Sequence, residues 1–466
     1  MSPLKALAGN APFLGIAYDP LFYISGDGEV TPALAVKWGF VGTGNTVFEV
    51  TLRSGVTFAD GTELTADAAK AHFDAFKAGT TSRFRLAAMQ SVEVTGPLSL
   101  RFTLSTPNPD FIRTLADVDT PGHLISPAGF ADQAKLDTTT SGAGPYVLDP
   151  DQSVTGDHYT FVQNPNYWDK KRARYDKITV RNITDPAAVL SALQTGQADV
   201  GTGTLATAAA AQASGLKVQS TPQLWIGFGL IDRAGVVAEP LGDLRVRQAL
   251  NLAVDRNAIV KGIYGQFGTP TDGIATPGFA GFSEPTITHY PYNVKKAKKL
   301  MQEAGYADGF TVPLLASSTT DPNNNLTNAV VDYWNKIGVK VEITNDPVNW
   351  AARFSSKQFP VVIDINGNGL IAQANSQLLP SGTSFNPFGS SDEQINELFA
   401  EAVAATPAER EKALNKRADR VRELAWFVPV SIQETIVLSN ADAPKFTIGP
   451  LNTYFQAGEV RPSSAK

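Results

Sequence analysis

The sequence predicts a mixed α/β protein of more than one structural unit, and three observations predict it. The first third of the chain places a strand, a helix and a strand in succession, the order of a compact α+β unit. The second half alternates helix, strand, helix, strand, the order of an α/β lobe with partly parallel pairing. The length of 466 residues corresponds to about three units at roughly 150 residues each.

The elements follow in order. In residues 46–52, Phe48, Val50 and Leu52 alternate with Glu49 and Thr51, and in residues 98–104, Leu98, Leu100, Phe102 and Leu104 alternate with polar neighbours. Period-two patterning of this kind marks half-buried antiparallel strands. Between them Thr65 caps a helix that carries Ala69, Phe73 and Phe76 on one face. Gly142-Ala-Gly144-Pro145-Tyr146 is a turn leading into an extended segment, and Asn164-Pro-Asn-Tyr-Trp168 is a loop. A strand is predicted over 177–180. Asp185 and Pro186 then open a helix whose apolar face is Val189, Leu190 and Leu193, with Gly196 just past its end.

Further along, Asp243 caps a helix with the stripe Val246, Ala249, Leu250, Ala253 and Val254. Asn293 caps another, with Val294, Ala297, Met301 and Ala304 inward and Gly305 closing it. A third carries Leu326, Val330, Trp334 and Ile337, stops at Gly338, and runs into a strand over 339–343. The apolar run 359–365 reads as a buried strand. Two helices follow, one with Ile395, Leu398, Phe399 and Ala402 inward. The other opens on Thr406-Pro407-Ala408-Glu409, the pattern of a capping box. An extended run over 427–438 closes the folded part.

Composition narrows the chemistry. With 39 basic and 45 acidic residues the net charge is −6, without the basic footprint of a nucleic-acid binder. The absence of cysteine excludes disulfides, thiolate metal sites and cysteine nucleophiles. The histidines, His72, His123, His158 and His289, are scattered, so no metal centre and no cofactor are expected. No run of 18 apolar residues is present. The start, Met1-Ser2-Pro3, has no basic segment followed by an apolar one, which leaves a cytosolic protein or a removed leader.

Catalytic signatures for nucleotide binding, serine hydrolysis and zinc proteolysis are missing from the sequence. Asp60 and Glu63 read as turn chemistry rather than a carboxylate pair. Asp364 is either a functional acid or a hydrogen-bonded strand-end carboxylate. Lys295, Lys296, Lys298 and Lys299 read as the solvated face of a helix. Aromatic side chains offer stacking surfaces for a ligand. Trp225 and Phe228 in the apolar run 224–231, with Phe13, Tyr18 and Trp350 near element ends, are the candidates, against the alternative of plain core packing.

Together the motifs resemble the oligopeptide- and dipeptide-binding type of ABC-transporter solute-binding proteins, the extracellular family 5. The resemblance rests on Thr31-Pro-Ala-Leu34 with Trp38 and on the segment from Leu52-Arg-Ser-Gly55 through Phe58-Ala-Asp-Gly-Thr62 to Asp67. Gly142 to Tyr146, Asn164 to Trp168 and Leu193-Gln-Thr-Gly-Gln-Ala-Asp199 add to it. So do Leu244-Arg-Val-Arg-Gln-Ala-Leu-Asn-Leu-Ala-Val-Asp-Arg256 and Ala297-Lys-Lys-Leu-Met-Gln-Glu-Ala-Gly-Tyr306. It implies a two-lobed periplasmic-binding-protein-like α/β fold with an extra α+β subdomain, the lobes joined by two hinge strands. The implied division is residues 1–25, 141–228 and 433–466 for the first lobe, 26–140 for the extra subdomain, and 229–432 for the second lobe. The implied crossings lie near 224–230 and 427–432.

The function implied is capture of a peptide-like or other polar small solute between the lobes and delivery to an ABC permease, without catalysis. The location implied is extracytoplasmic: periplasmic, or lipid-anchored in a precursor whose leader is absent from this chain. A monomer is expected. One departure bears on the solute. Peptide-binding members carry a tryptophan and, closely after it, an aspartate that pairs with the peptide's α-amino group. Here the strand continues into Asn366-Gly-Asn368-Gly-Leu-Ile-Ala-Gln373 instead. Amides donate and accept but do not neutralise an ammonium. Asn366, Asn368 and Gln373, with the aromatic candidates, therefore point to a modified peptide or an oligosaccharide rather than an ordinary free-amino peptide. The reading from another class is a carboxylate-pair hydrolase on the same scaffold.

Overall fold

The computed structural model describes residues 2–6, 11–79, 83–366, 386–441, 443 and 446–452. The chain divides into two compact units, Met1–Thr221 with Thr435–Lys466, and Pro222–Glu434.

In the first unit β1 (Phe22–Ile24) and β2 (Val30–Pro32) pair antiparallel. Strands β3 (Ala35–Phe40), β4 (Val47–Leu52), β5 (Met89–Gly96) and β6 (Ser99–Leu104) form an antiparallel sheet in the order β3-β4-β6-β5. The edge strands β3 and β5 escape the alternation rule for a visible reason. Their registers shift between Ala35 and Lys37, between Met89 and Ser91, and between Val94 and Gly96, and each irregularity breaks the period of two. Helix Ala66–Ala78 packs on this sheet, with the Thr65 hydroxyl accepting from the Ala68 N–H. Phe73 stands edge-on to Phe102 at 4.9 Å between ring centres. A second sheet joins β7 (Tyr146–Val154), β8 (His158–Gln163) and β9 (Lys177–Arg181), and β10 (Val200–Gly203) follows.

The Gly142-Ala-Gly144 turn has a packing explanation. A Cβ on Gly144 would stand 2.4 Å from the Ala17 carbonyl carbon, and one on Gly142 would stand 2.4 Å from Tyr18 Cδ1. Both glycines are therefore needed for the backbone to lie flat on residues 17–18. Nearby, His72 is buried, with Nε2 2.8 Å from the Pro121 carbonyl and Nδ1 accepting from the Ile125 N–H. Both contacts suit a neutral ring, and burial pulls its pKa down to about 4.

Strand β11 (Lys217–Leu230) passes from the first unit to the second at Thr221–Pro222. The second unit adds β12 (Gly268–Pro270), β13 (Phe310–Ala316), β14 (Val339–Asn345) and β15 (Val361–Asn366). The chain returns along β16 (Phe427–Ser439), which crosses at Glu434–Thr435. In the first unit β16 pairs with β10 through residues 436–439. In the second unit the order is β16-β11-β15-β13-β14, with β12 on β16. β13 runs parallel to β14 and β15, while β11 and β15 are antiparallel, so the pairing is mixed.

One face of this sheet buries Ile226, Phe228, Leu230, Val361, Ile363, Val428 and Val430 against helices Leu244–Leu252, Arg256–Ile263, Val294–Glu303 and Asn325–Asn335. Asp243, Asp255 and Asn293 cap three of these helices as N-cap acceptors. Gly305 and Gly338 adopt φ of 89° and 85° beyond helix ends, where left-handed backbone favours glycine. The capping box at Thr406 is not formed. The Thr406 hydroxyl donates to the Glu409 carboxylate at 2.8 Å, and its oxygen accepts no helix N–H.

Two predictions follow from these contacts. Gly144→Ala forces the backbone off residues 17–18 and should cost about 1–3 kcal/mol in denaturant unfolding. Asp117 is buried, accepts from the Ile24 N–H at 2.9 Å, and has its pKa raised by burial to about 7. A raised carboxyl stabilises the folded state below the unfolded value, and that contribution is lost as pH rises toward 7. The wild type should therefore lose stability relative to Asp117→Asn between pH 5 and 7, by up to about 1.4 kcal/mol per pH unit.

Candidate functional site

The candidate site is built on the second face of the sheet in the second unit. Across the β11–β15 pair, Trp225 lies opposite Asn366, Gly227 opposite Asp364, and Gly229 opposite Val362. Alternation sends Phe228 to the helix side and this set to the other face. Gly227 is required by its other neighbour, since a Cβ there would stand 2.2 Å from the Val428 carbonyl oxygen of β16. Two glycines thus leave bare backbone between Trp225 and the strand end.

Two apolar clusters flank this face. Trp225 packs with Ile274, Ile395, Val421, Trp426 and Phe427, its ring 5.5 Å from Phe427 and edge-on to it. Val362 packs with Ile231, Leu315, Phe354 and Phe359, and Trp350 lies against this group, stacked on Phe354 at 4.9 Å. The indole Nε1 atoms of Trp225 and Trp350 are buried without a hydrogen-bond acceptor.

The sequence candidates divide accordingly. Trp225 and Asn366 are brought together as cross-strand partners, and Asn366 is half-buried. Phe228 is fully buried on the opposite face, 5.6 Å from the Trp334 ring. In the first unit Tyr18 is fully buried, its hydroxyl accepting from the Ser141 N–H, and Phe13 is half-buried on helix Ala11–Leu14. Asn368 and Gln373 lie outside the described residues. Asp60 shows the turn chemistry read from its neighbours: it accepts from the Thr62 N–H and from the Ser126 hydroxyl.

Sequence reasoning missed Arg233. It follows β11 and is 9% exposed, its guanidinium 4.1 Å from the Trp426 ring centre and 5.3 Å from that of Phe427. Its Nε and Nη1 have no hydrogen-bond partner. Burial pulls its pKa down to about 9; Arg247 acts in the same direction and Asp364 against it. The preceding Asp232 is fully buried and accepts from the backbone N–H groups of Val236, Val237 and Ala238, which fixes the turn carrying Arg233. The sequence Asp-Arg-Ala-Gly carries ordinary turn residues, and only the structure shows Asp232 and Arg233 buried.

Among the described residues no group of three or more His, Asp or Glu side chains is arranged to hold a metal ion. No described helix is long and apolar enough to cross a membrane.

The sequence profile of bacterial extracellular solute-binding proteins, family 5, matches residues 29–387. The chain is 28% identical over 453 residues to the glutathione-binding protein GsiB of Salmonella typhimurium, covering 93% of this chain and 86% of that protein. It is similar to the binding protein AgaA of A. tumefaciens, solved with agropinic acid, with a TM-score of 0.77, 25% identity, and coverage of 98% and 95%. HbpA2 of Haemophilus parasuis shares the fold, with a TM-score of 0.85 at 22% identity and coverage of 99% and 97%. The α/β fold is that of periplasmic binding proteins.

Trp225→Phe keeps a ring against Phe427 and deletes the unpartnered indole N–H. Its melting temperature should equal or exceed that of the wild type, because an unmet buried donor is removed. A solute that uses this donor should bind about tenfold more weakly in calorimetry.

Proposed function

The chain belongs to the bacterial extracellular solute-binding proteins of family 5, and from that premise we propose which solute it carries and how. Members of this family deliver peptides or other solutes to ABC importers, and this chain is a solute-binding protein of that kind. The cargo we assign is a polar small solute of the modified-peptide or amino-acid-derived class. The observation that carries this is the strand end itself. β15 finishes at Asn366, an amide, opposite an indole, where an ordinary peptide's ammonium would need a carboxylate. The relative named for glutathione, a γ-linked peptide, supports the same class.

Within this reading Trp225, Trp350 and Asn366 contact solute, and Phe13 is kept as a candidate of the first unit. Asn368 and Gln373 are kept as the amide candidates beyond the strand. Tyr18, whose hydroxyl is met by the Ser141 N–H, and Phe228, on the helix side of the sheet, act as supports that hold the backbone under the contacts. Residues 26–140 form the extra subdomain, with β3–β6 and helix Ala66–Ala78 packing in a core that also takes in Leu21, Phe22, Ile24 and Ala143. The protein works as a monomer outside the cytoplasmic membrane, in the periplasm or on a lipid anchor, and releases its solute chemically unchanged.

Native mass spectrometry of the purified protein, followed by extraction, tests this directly. The expected result is a co-purifying polar solute of the proposed class that rebinds in calorimetry and is recovered intact after long incubation. Tight binding of unmodified di- and tripeptides with no binding of modified ones would refute the cargo assignment. Turnover of the solute would refute the absence of catalysis.

A further inference from the structure

We propose that Arg233 receives an anionic oxygen group of the solute, a carboxylate in the first instance, with the Trp225 indole as a second donor. This inference rests on the reading of the chain as a solute-binding protein and adds the charge of the cargo to it.

The comparison with other buried arginines of the same unit carries the argument. Arg256 is 1% exposed and makes five hydrogen bonds, to the carbonyls of Thr271, Pro429, Asn251 and Tyr290 and to the Asn251 side chain. Arg247 donates to the carbonyls of Leu241, Gly242 and Leu424. Both guanidinium groups are structural, since backbone oxygens meet their donors. Arg233 is also buried, at 9% exposed, yet Nε and Nη1 meet no acceptor. A buried guanidinium left this way is costly in the folded chain alone. An acceptor brought by a ligand removes that cost at the moment of binding.

The surroundings say which acceptor fits. Arg233 lies over the Phe427 ring and Trp225 meets that ring edge-on, and each presents an unmet N–H. Neither has any capacity to accept. A group with only acceptor atoms and a negative charge matches them, and a carboxylate is such a group. Trp426 and Phe427 hold the guanidinium by cation–π contact. Gly227, on the Trp225 face of β11, and Gly229 beside it put no side chain between these donors and Asp364. Asp364 offsets part of the Arg233 charge through space. Arg417 is a second buried arginine with unmet Nε and Nη2, but it lies over Phe399 of a neighbouring helix and contacts neither Trp225 nor Phe427 among the interactions seen. It serves as the control.

The test uses matched acid and neutral probes on the full chain in calorimetry: glutathione with its dimethyl ester, trialanine with its amide, and galacturonate with galactose. At least one acid should bind, with its neutral partner about tenfold weaker or more. Arg233→Gln should bring the acid down to the level of the neutral probe, Arg233→Lys should retain part of the preference, and Arg417→Gln should leave it unchanged. Without solute, Arg233→Met should melt no lower than the wild type, whereas a purely structural arginine would make it melt lower. Neutral probes binding as well as acids, or Arg233→Gln keeping the acid preference, would overturn the assignment while leaving solute binding intact. Failure of every probe together with no co-purifying solute would overturn both readings.

Discussion

The contact between Gly227 and β16 is the constraint on which the second unit depends. With 2.2 Å between the place of a Cβ and the Val428 carbonyl oxygen, any other residue at 227 would push β11 and β16 apart. These two strands are the ones that run through both units, and the rest of the second unit's sheet is ordered around them. Their close approach sets the phase of the pleat. That phase decides that Phe228 meets the helices while Trp225 meets Phe427.

Burial is resolved differently on the two sides of that sheet. On the helix side the Trp334 indole donates to the Leu250 carbonyl, and Arg256 and Asn251 satisfy one another and the neighbouring backbone. On the other side several donors remain open, at Trp225, Trp350 and Arg233. A folded protein tolerates such groups where something outside the chain completes them, and a solute carrier is a place where that happens. In the first unit Asp19 accepts from the Tyr23 hydroxyl and the Trp168 indole. There the loop motif Asn164 to Trp168 is tied to the N-terminal segment by hydrogen bonds rather than by exposed chemistry.

The local elements were legible because their signals are local. Thr65, Asp243 and Asn293 cap as their side-chain chemistry dictates, and Gly305 and Gly338 end their segments in left-handed backbone. The failures were also physical. Thr406 has the residues of a capping box, but its hydroxyl found the Glu409 carboxylate, a charged acceptor a few bonds away. β3 and β5 carry register shifts that scramble alternation. Of the site, Trp225 and Asn366 were legible as residue types suited to a polar solute. Their being cross-strand partners was not, because pairing joins positions 141 residues apart by number.

The sequence by itself determined the class of protein, the order of helices and strands, the turns that need glycine for backbone geometry, and the absence of thiol chemistry. Each of these is written in a window of a few residues or in composition. Only the tertiary structure decided which aromatic side chains meet the helices and which border the second face of the sheet, and it alone distinguished Arg233 from Arg256. The two arginines look equally ordinary in the chain. What separates them is whether distant carbonyls arrive within hydrogen-bonding reach, and that is fixed by how strands and helices pack, not by their neighbours in sequence.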